Sequence, residues 1–268
     1  METNSVELAS RIRTLALKMV HDAKASHIGG ALSMADLLAV LYTSILRIKP
    51  QQPFWEDRDR FLLSKGHACT SLYSTLALKG FFDVKALSSY CAEDSFFLAH
   101  ASHKVPGVEL STGSLGHALS VSCGLALAAR RKNKEWKIYT LLSDGELDEG
   151  SNWEAILFAP HHRLDNMTII IDYNKIQSLG EIKEVMGLEP LADKFKAFGW
   201  SVFEIDGHNH NEIYKALSAS SIEKGRPKAI IAHTIKGKGV DFMENKLLWH
   251  YKSPDAEQLE MAIKSIER

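Results

Sequence analysis

Four short runs of mostly apolar residues, rich in β-branched and aromatic side chains, constrain this chain more than any other feature: residues 136–142, 167–171, 200–205 and 228–232. Stretches with helical spacing separate them, at 151–158, 188–198 and 211–223, and another follows at 255–266. The runs show no strict apolar–polar alternation, so both of their faces should be covered. Each intervening segment is long enough for a right-handed crossover. Strands alternating with helices in this way specify an α/β fold, a parallel sheet with helices on both faces.

The first half of the chain reads as helical. Leu8, Ile12, Leu15 and Met19 repeat on one face of an N-terminal helix. Ser33 with Asp36 three positions on predicts the start of a second helix carrying Leu37, Leu38, Leu41 and Ile45. A third covers 68–78, residues 89–111 lack periodicity, and a helix of small residues covers 114–130. Ser151 and Glu154 form a capping-box pattern for the helix that follows. No repeat or linker-like segment divides the chain, so residues 1–268 read as one domain. With 32 basic against 33 acidic side chains there is no charge excess to favour nucleic acid or an anionic membrane surface. No apolar run approaches the roughly 20 residues of a membrane span, and the N-terminus lacks a signal-peptide profile. Three cysteines, Cys69, Cys91 and Cys123, share no metal-ligand spacing and fit a reducing, cytoplasmic setting.

Ligands of open parallel sheets bind beyond the carboxyl ends of the strands. Asp144 follows the first of the four runs, and Asn174 follows the second, thirty positions later. One crossover takes about that many residues, so both side chains are expected on one rim. A carboxylate and a carboxamide are hard oxygen donors suited to Mg²⁺, and amides at the helix start after Gly145 would attract a diphosphate. Asp-Gly and Asn-Lys are also ordinary turn pairs after strands, and spacing alone leaves both readings open.

Longer blocks narrow the choice. SDGELDEGSNWEA followed by IIIDYNKIQ resembles the thiamine diphosphate motif, a Gly-Asp-Gly-like turn with an asparagine some 28 residues on. ASHIGGALSMADLLAVLY, DRFLLSKGHACTSLYSTLALKG, PGVELSTGSLGHALS and AHTIKGKGVDFMEN each resemble transketolase segments, in transketolase order, and the likeness runs from about residue 7 to 254. The whole is similar to the N-terminal, diphosphate-binding portion of a transketolase, and more closely to the stand-alone N-terminal subunit of the split form.

That resemblance implies a set of roles. Asp144, Asn174 and the main-chain oxygen of Ile176 match the magnesium ligands, with Gly145 beside the diphosphate. Gly113 and Leu115 match residues that contact the thiamine rings. His27, His67, His100 and His250 match the four active-site histidines, His67 and His250 also touching the cofactor; the distance to PGVE selects His100 over His103. Glu149 matches an acidic residue near the subunit interface. The implied activity is two-carbon ketol transfer from a ketose phosphate to an aldose in carbohydrate metabolism of the pentose phosphate kind, using thiamine diphosphate and Mg²⁺. The family's pyrimidine-binding and C-terminal domains have no counterpart in these residues. A C-terminal partner subunit in a heterotetramer is therefore expected to supply them. Open alternatives are ketol transfer on a branched or modified sugar phosphate, a dihydroxyacetone- or deoxyxylulose-phosphate-synthase-like reaction, and a non-catalytic binding or scaffold paralogue.

His21, His161, His162, His208, His210 and His233 are assigned to solvent-facing or hydrogen-bonding roles, and the 236–238 Lys-Gly-Lys run to a surface turn. Two departures from the family pattern bear on specificity. Ser143 stands where glycine opens the Gly-Asp-Gly turn, costing ~1 kcal/mol if that position needs positive φ. Tyr251 stands where glycine follows Trp-His.

Overall fold

The computed structural model describes residues 4–221 and 223–267, so residues 1–3, Ile222 and Arg268, which fall in the expected 1–268 domain, lie outside the described residues. The four runs become strands of one all-parallel sheet: β2 (Ile138–Ser143), β3 (Met167–Tyr173), β4 (Ser201–Asp206) and β5 (Lys228–His233). A fifth strand, β1 (Arg60–Leu63), joins the edge beside β2, giving the order β1-β2-β3-β5-β4. The sequence reading missed β1, because four buried residues set between charged neighbours carry neither period nor length.

Among the described residues the sheet is accompanied by ten α-helices: α1 (Ser5–Asp22), α2 (Ile28–Ser33), α3 (Ala35–Val40), α4 (Cys69–Leu78), α5 (Ala118–Arg131), α6 (Gly150–His161), α7 (Ile182–Val185), α8 (Leu191–Ala197), α9 (His210–Ser218) and α10 (Ala256–Ile266). Successive strand residues feed opposite cores. Leu141, Ile170 and Ile230 pack with Leu8, Ile12, Leu38 and Leu72 from the N-terminal helices. Ile169, Ile171 and Ile138 pack with Ala126, Ile156, Phe195 and Trp200 on the other side. All seven residues of β3 are buried, as expected for a strand covered on both faces.

Several helix boundaries differ from expectation for identifiable reasons. Ser33 ends α2 rather than capping the next helix; its hydroxyl donates to Gly30 O and to Asp172. Ser151 does not cap α6, which starts at Gly150 behind Glu149; the Ser151 hydroxyl instead donates to Gly116 O at 2.8 Å. The small-residue helix begins at Ala118, because Gly116 turns at φ +84° with Glu149 and Ser151 packed where a Cβ would lie. Helix α9 stops at Ser218, short of the expected 223. There the buried Lys228 ammonium takes up the carbonyls of Ala216, Leu217 and Ala219, each at 2.8 Å, satisfying acceptors that a longer helix would have used.

Strand register sets the rim on which the site is built. Ser143 lies opposite Asp172, and Asp172 opposite Ala232, so β2, β3 and β5 end at one level. Asp144 and Asn174 follow directly.

Candidate active site

A cleft of about 330 Å³ opens over that rim. All ten expected site residues line it: His27, His67, His100, His250, Gly113, Leu115, Asp144, Gly145, Asn174 and Ile176. They arrive from the starts of α2 and α4, the irregular loop before α5, the β2 and β3 ends, and the segment after β5.

Local backbone needs explain several of the residue types. Gly66 passes so close to Thr112 that a Cβ would lie 2.3 Å from the Thr112 carbonyl oxygen, which ties the His67 loop to the Gly113 loop. His27 adopts a left-handed conformation (φ 70°, ψ 19°) at the start of α2, and its N–H donates to His250 O at 2.8 Å. Non-glycine residues held at positive φ cluster at functional sites, where surrounding contacts override the local cost. Ser143 is not at positive φ, so the backbone penalty does not arise. Its hydroxyl accepts from Glu146 N at 3.2 Å, a bond glycine could not make.

The imidazoles form a close group. Ring centroids lie 5.0 Å apart for His27–His67, 5.1 Å for His27–His250, 5.9 Å for His67–His250 and 6.1 Å for His27–His100. Burial and neighbouring cationic groups disfavour protonation. His27 is held down to about 4 by burial, then by His100 and Lys236. His250 falls to about 3, by burial first and then Lys236 and His27. His67 is pushed well below its ordinary value by burial and then Lys65. These three are neutral imidazoles near neutral pH, each able to donate through one nitrogen and accept through the other. His103 does not join them; its Nδ1 pairs with the Ser111 hydroxyl at 2.7 Å.

Beneath the histidines lies a set of buried charges. Asp144 is 1% exposed and accepts from Gly145 N (2.8 Å) and Lys175 N (2.6 Å), one bond on each oxygen. The Gly145 N–H is thus turned to Asp144. Burial and the charge of Asp172 push the Asp144 carboxyl up to about 7. Asn174 Oδ1 accepts from Ile176 N at 3.2 Å, and Ile176 O faces the Lys236 ammonium at 2.8 Å. This donor set suits a hard divalent cation. It offers a carboxylate, a carboxamide oxygen and a carbonyl, few enough to leave coordination positions for phosphate and water. Burial and the Asp172 charge outweigh the two amide bonds and the Lys65 charge, which act in the other direction on Asp144.

Four contributors escaped the sequence reading. Lys65 pairs with Asp172 under the cleft floor and donates to Gly30 O. Lys236, read as part of a surface turn, is 3% exposed and points into the cleft. Glu146 is fully buried, accepting from Ser64 Oγ and Gly116 N. Gln177 packs where a Gly145 Cβ would lie and bonds Asp148. Strand-end position could have flagged Lys65, two residues past β1, had β1 been seen. Among the other histidines, His208 and His210 both reach Asp36, away from the cleft lining. Cys69, next but one to His67, has its thiol pushed up to about 12 by burial and faces Leu98 O, so it forms no thiol–imidazole pair.

Comparison with known proteins decides the lineage. The family described as transketolase, thiamine diphosphate binding domain, matches residues 4–264. The chain belongs to the transketolase family. It is 40% identical over 267 residues to an apulose-4-phosphate transketolase subunit of Phocaeicola vulgatus, covering 99% of this chain and 95% of that one. It is 41% identical over 261 residues to the 6-deoxy-6-sulfo-D-fructose transketolase subunit of a Clostridium species, covering 97% and 95%. Among solved structures, the transketolase of Campylobacter jejuni superposes with a TM-score of 0.92 at 34% identity, over 98% of this chain. This transketolase-family chain spans 42% of that enzyme's length. Among the described residues no helix is long and apolar enough to cross a membrane.

Proposed function

We propose that this chain is the diphosphate-binding subunit of a two-part transketolase. With a partner bearing the pyrimidine-binding domain, it moves a two-carbon ketol unit from a ketose phosphate to an aldose acceptor. The observation that carries the reading is the cleft itself: neutral imidazoles gathered above a buried, uncompensated carboxylate at the carboxyl rim of a parallel sheet. The size relation supports it, since the chain corresponds to about two-fifths of a solved transketolase and nearly all of two relatives named as subunits.

In this reading Asp144, Asn174 and Ile176 O would hold Mg²⁺, which would supply positive charge for the diphosphate of thiamine diphosphate. Gly113 and Leu115 pack against the thiamine portion. When bound, the cofactor supplies the carbon nucleophile that opens the ketose C2–C3 bond. His27, His67, His100 and His250 bind sugar hydroxyls and exchange protons with the substrate oxygens that gain and lose charge. Kept neutral, His27, His67 and His250 can each give or take a proton without first shedding one. The buried lysines add positive potential for phosphorylated ligands. The reaction runs in a reducing cytoplasm in a heterotetramer.

A modified or branched sugar phosphate is the second reading, favoured by Tyr251. Its ring lies 4.8 Å from that of His250, tilted by 60°, and its hydroxyl donates to Ser178 O at 3.2 Å at the cleft lining. Both subunit relatives carry names that specify unusual sugars.

The test combines the purified chain with its C-terminal partner, Mg²⁺ and thiamine diphosphate and measures two-carbon transfer across ordinary and modified ketoses. Cofactor-dependent transfer requiring both chains is expected. Asp144→Ala should lower it roughly a hundredfold or more, since a catalytic metal site is worth several kcal/mol. Transfer by this chain alone, or none with any ketose in the complex, overturns the proposal.

A further inference from the structure

Lys236 is held on every side. Its N-terminal neighbour Ile235 donates its N–H to His208 Nε2 at 2.8 Å, and the Gly237 N–H donates to Gly29 O at 2.9 Å. The Lys236 carbonyl accepts from Asn245 N at 2.9 Å. The aliphatic stem runs against Gly29, where a Cβ would come within 3.1 Å of Lys236 Cγ. The side-chain nitrogen ends between two acceptors: Ile176 O at 2.8 Å and His250 Nδ1 at 3.0 Å.

The chemistry of that second contact is one-sided. Burial lowers the Lys236 amine to about 8, so at pH 6.5 it is an ammonium group, which carries three protons and no lone pair and can only donate. The imidazole nitrogen facing it must therefore be the bare one. In a neutral ring the single proton then sits on Nε2. We infer that Lys236 is a positioning residue that fixes His250 as its Nε2–H tautomer, so that this imidazole presents a donor to the cleft. The His250 backbone is fixed as well, because its carbonyl accepts from His27 N. Its neighbour is governed differently. His27 Nδ1 faces the hydroxyl of Ser26 at 2.9 Å, and a hydroxyl can give or accept, so either tautomer of His27 is satisfied. The cleft thus holds one imidazole of set polarity beside one that can switch.

The tautomer follows from the geometry of the chain with Lys236 as its ammonium. Its use, to donate to a substrate oxygen that gains negative charge, rests on the proposed ketol transfer.

Ring-nitrogen NMR on the full chain, labelled with ¹⁵N-histidine and free of cofactor and partner, separates the two matters. Long-range ¹H–¹⁵N correlation near pH 6.5 reports which nitrogen is protonated, and His250→Gln identifies the signal by its loss. The expected pattern is a pyridine-type Nδ1 and a pyrrole-type Nε2 for His250. Lys236→Met should shift His250 toward a mixture of tautomers, whereas Lys236→Arg, still a pure donor, should retain the Nε2–H form. A protonated Nδ1 in the unmodified chain overturns the inference, as does an unchanged tautomer in Lys236→Met. If the methionine variant fails to fold, the unmodified chain and the arginine variant still decide. Ketol transfer could fail in the reconstituted complex without altering this result.

Discussion

Asp144 and Asp172 stand at the carboxyl ends of adjacent strands, both almost wholly buried, yet their surroundings drive them in opposite directions. Burial by itself would raise the Asp172 carboxyl, but Lys65, Ser33 and Thr234 outweigh it and hold it below the ordinary range. Asp144 is met by two backbone amides instead of a cation. Burial and the nearby Asp172 charge carry it up to about 7. The same residue type on the same rim is thus a finished structural ion pair in one place and a carboxylate without a cationic partner in the other. A buried carboxylate marks a functional position when its compensation is missing, more than when its burial is deep.

Breaking the finished pair should have the largest effect. Lys65→Met leaves Asp172 ionised and without its cation, and costs about 3–5 kcal/mol. Calorimetry should show a melting temperature lower by about 10 °C. The double variant with Asp172→Asn should recover more than half of that loss, and a single variant that melts normally would dissolve the contrast. Asp144 should respond with the opposite sign. The folded Asp144 carboxyl is raised, so its contribution falls as pH climbs from the unfolded value near 4 toward about 7. Asp144→Asn removes that burden. The isolated variant should be more stable than the unmodified chain by about 2 kcal/mol at pH 8, with little difference at pH 4, in urea titrations. Adding Mg²⁺ should stabilise the unmodified chain and leave the variant unmoved.

The histidines give the smallest effect. His27 and His250 are depressed in the folded state, so their contribution is complete above the unfolded value near 6.5 and fades as pH falls toward 4. Both are partly exposed, and solvent screening limits each to about 1 kcal/mol or less. Replacing both with glutamine should flatten the melting temperature between pH 6.5 and 4.5. An unchanged slope would mean that the charge is accommodated without cost.

Much of the sheet was legible because its strands carry a strong local signal. Ile169, Ile170 and Ile171 cannot all be satisfied by one covered face, so both faces had to be covered. Asp144 and Asn174 were legible for a related reason, since a crossover of about thirty residues returns the chain to the same rim. β1 was not, being short and without period. Ser33 and Ser151 looked like helix caps because the cap pattern is local, while the competing acceptors at Asp172 and Gly116 come from distant segments. The resemblance of the histidine blocks named candidates for the cleft, and the fold then gathered those four rings at spacings of 5.0 to 6.1 Å.

The amino-acid sequence alone determined the layer architecture, the strand ends and the chemical types along the rim, since these follow from periodicity, spacing and side-chain identity. Only the tertiary structure decided which charges are compensated. Lys65 reaches Asp172 from a distant part of the chain, and Lys236 reaches Ile176 and His250 from a loop that reads as a surface turn. The physical reason is range. Patterning acts over a few residues, whereas the electrostatic state of a buried group is set by whatever folding brings within a few ångströms of it.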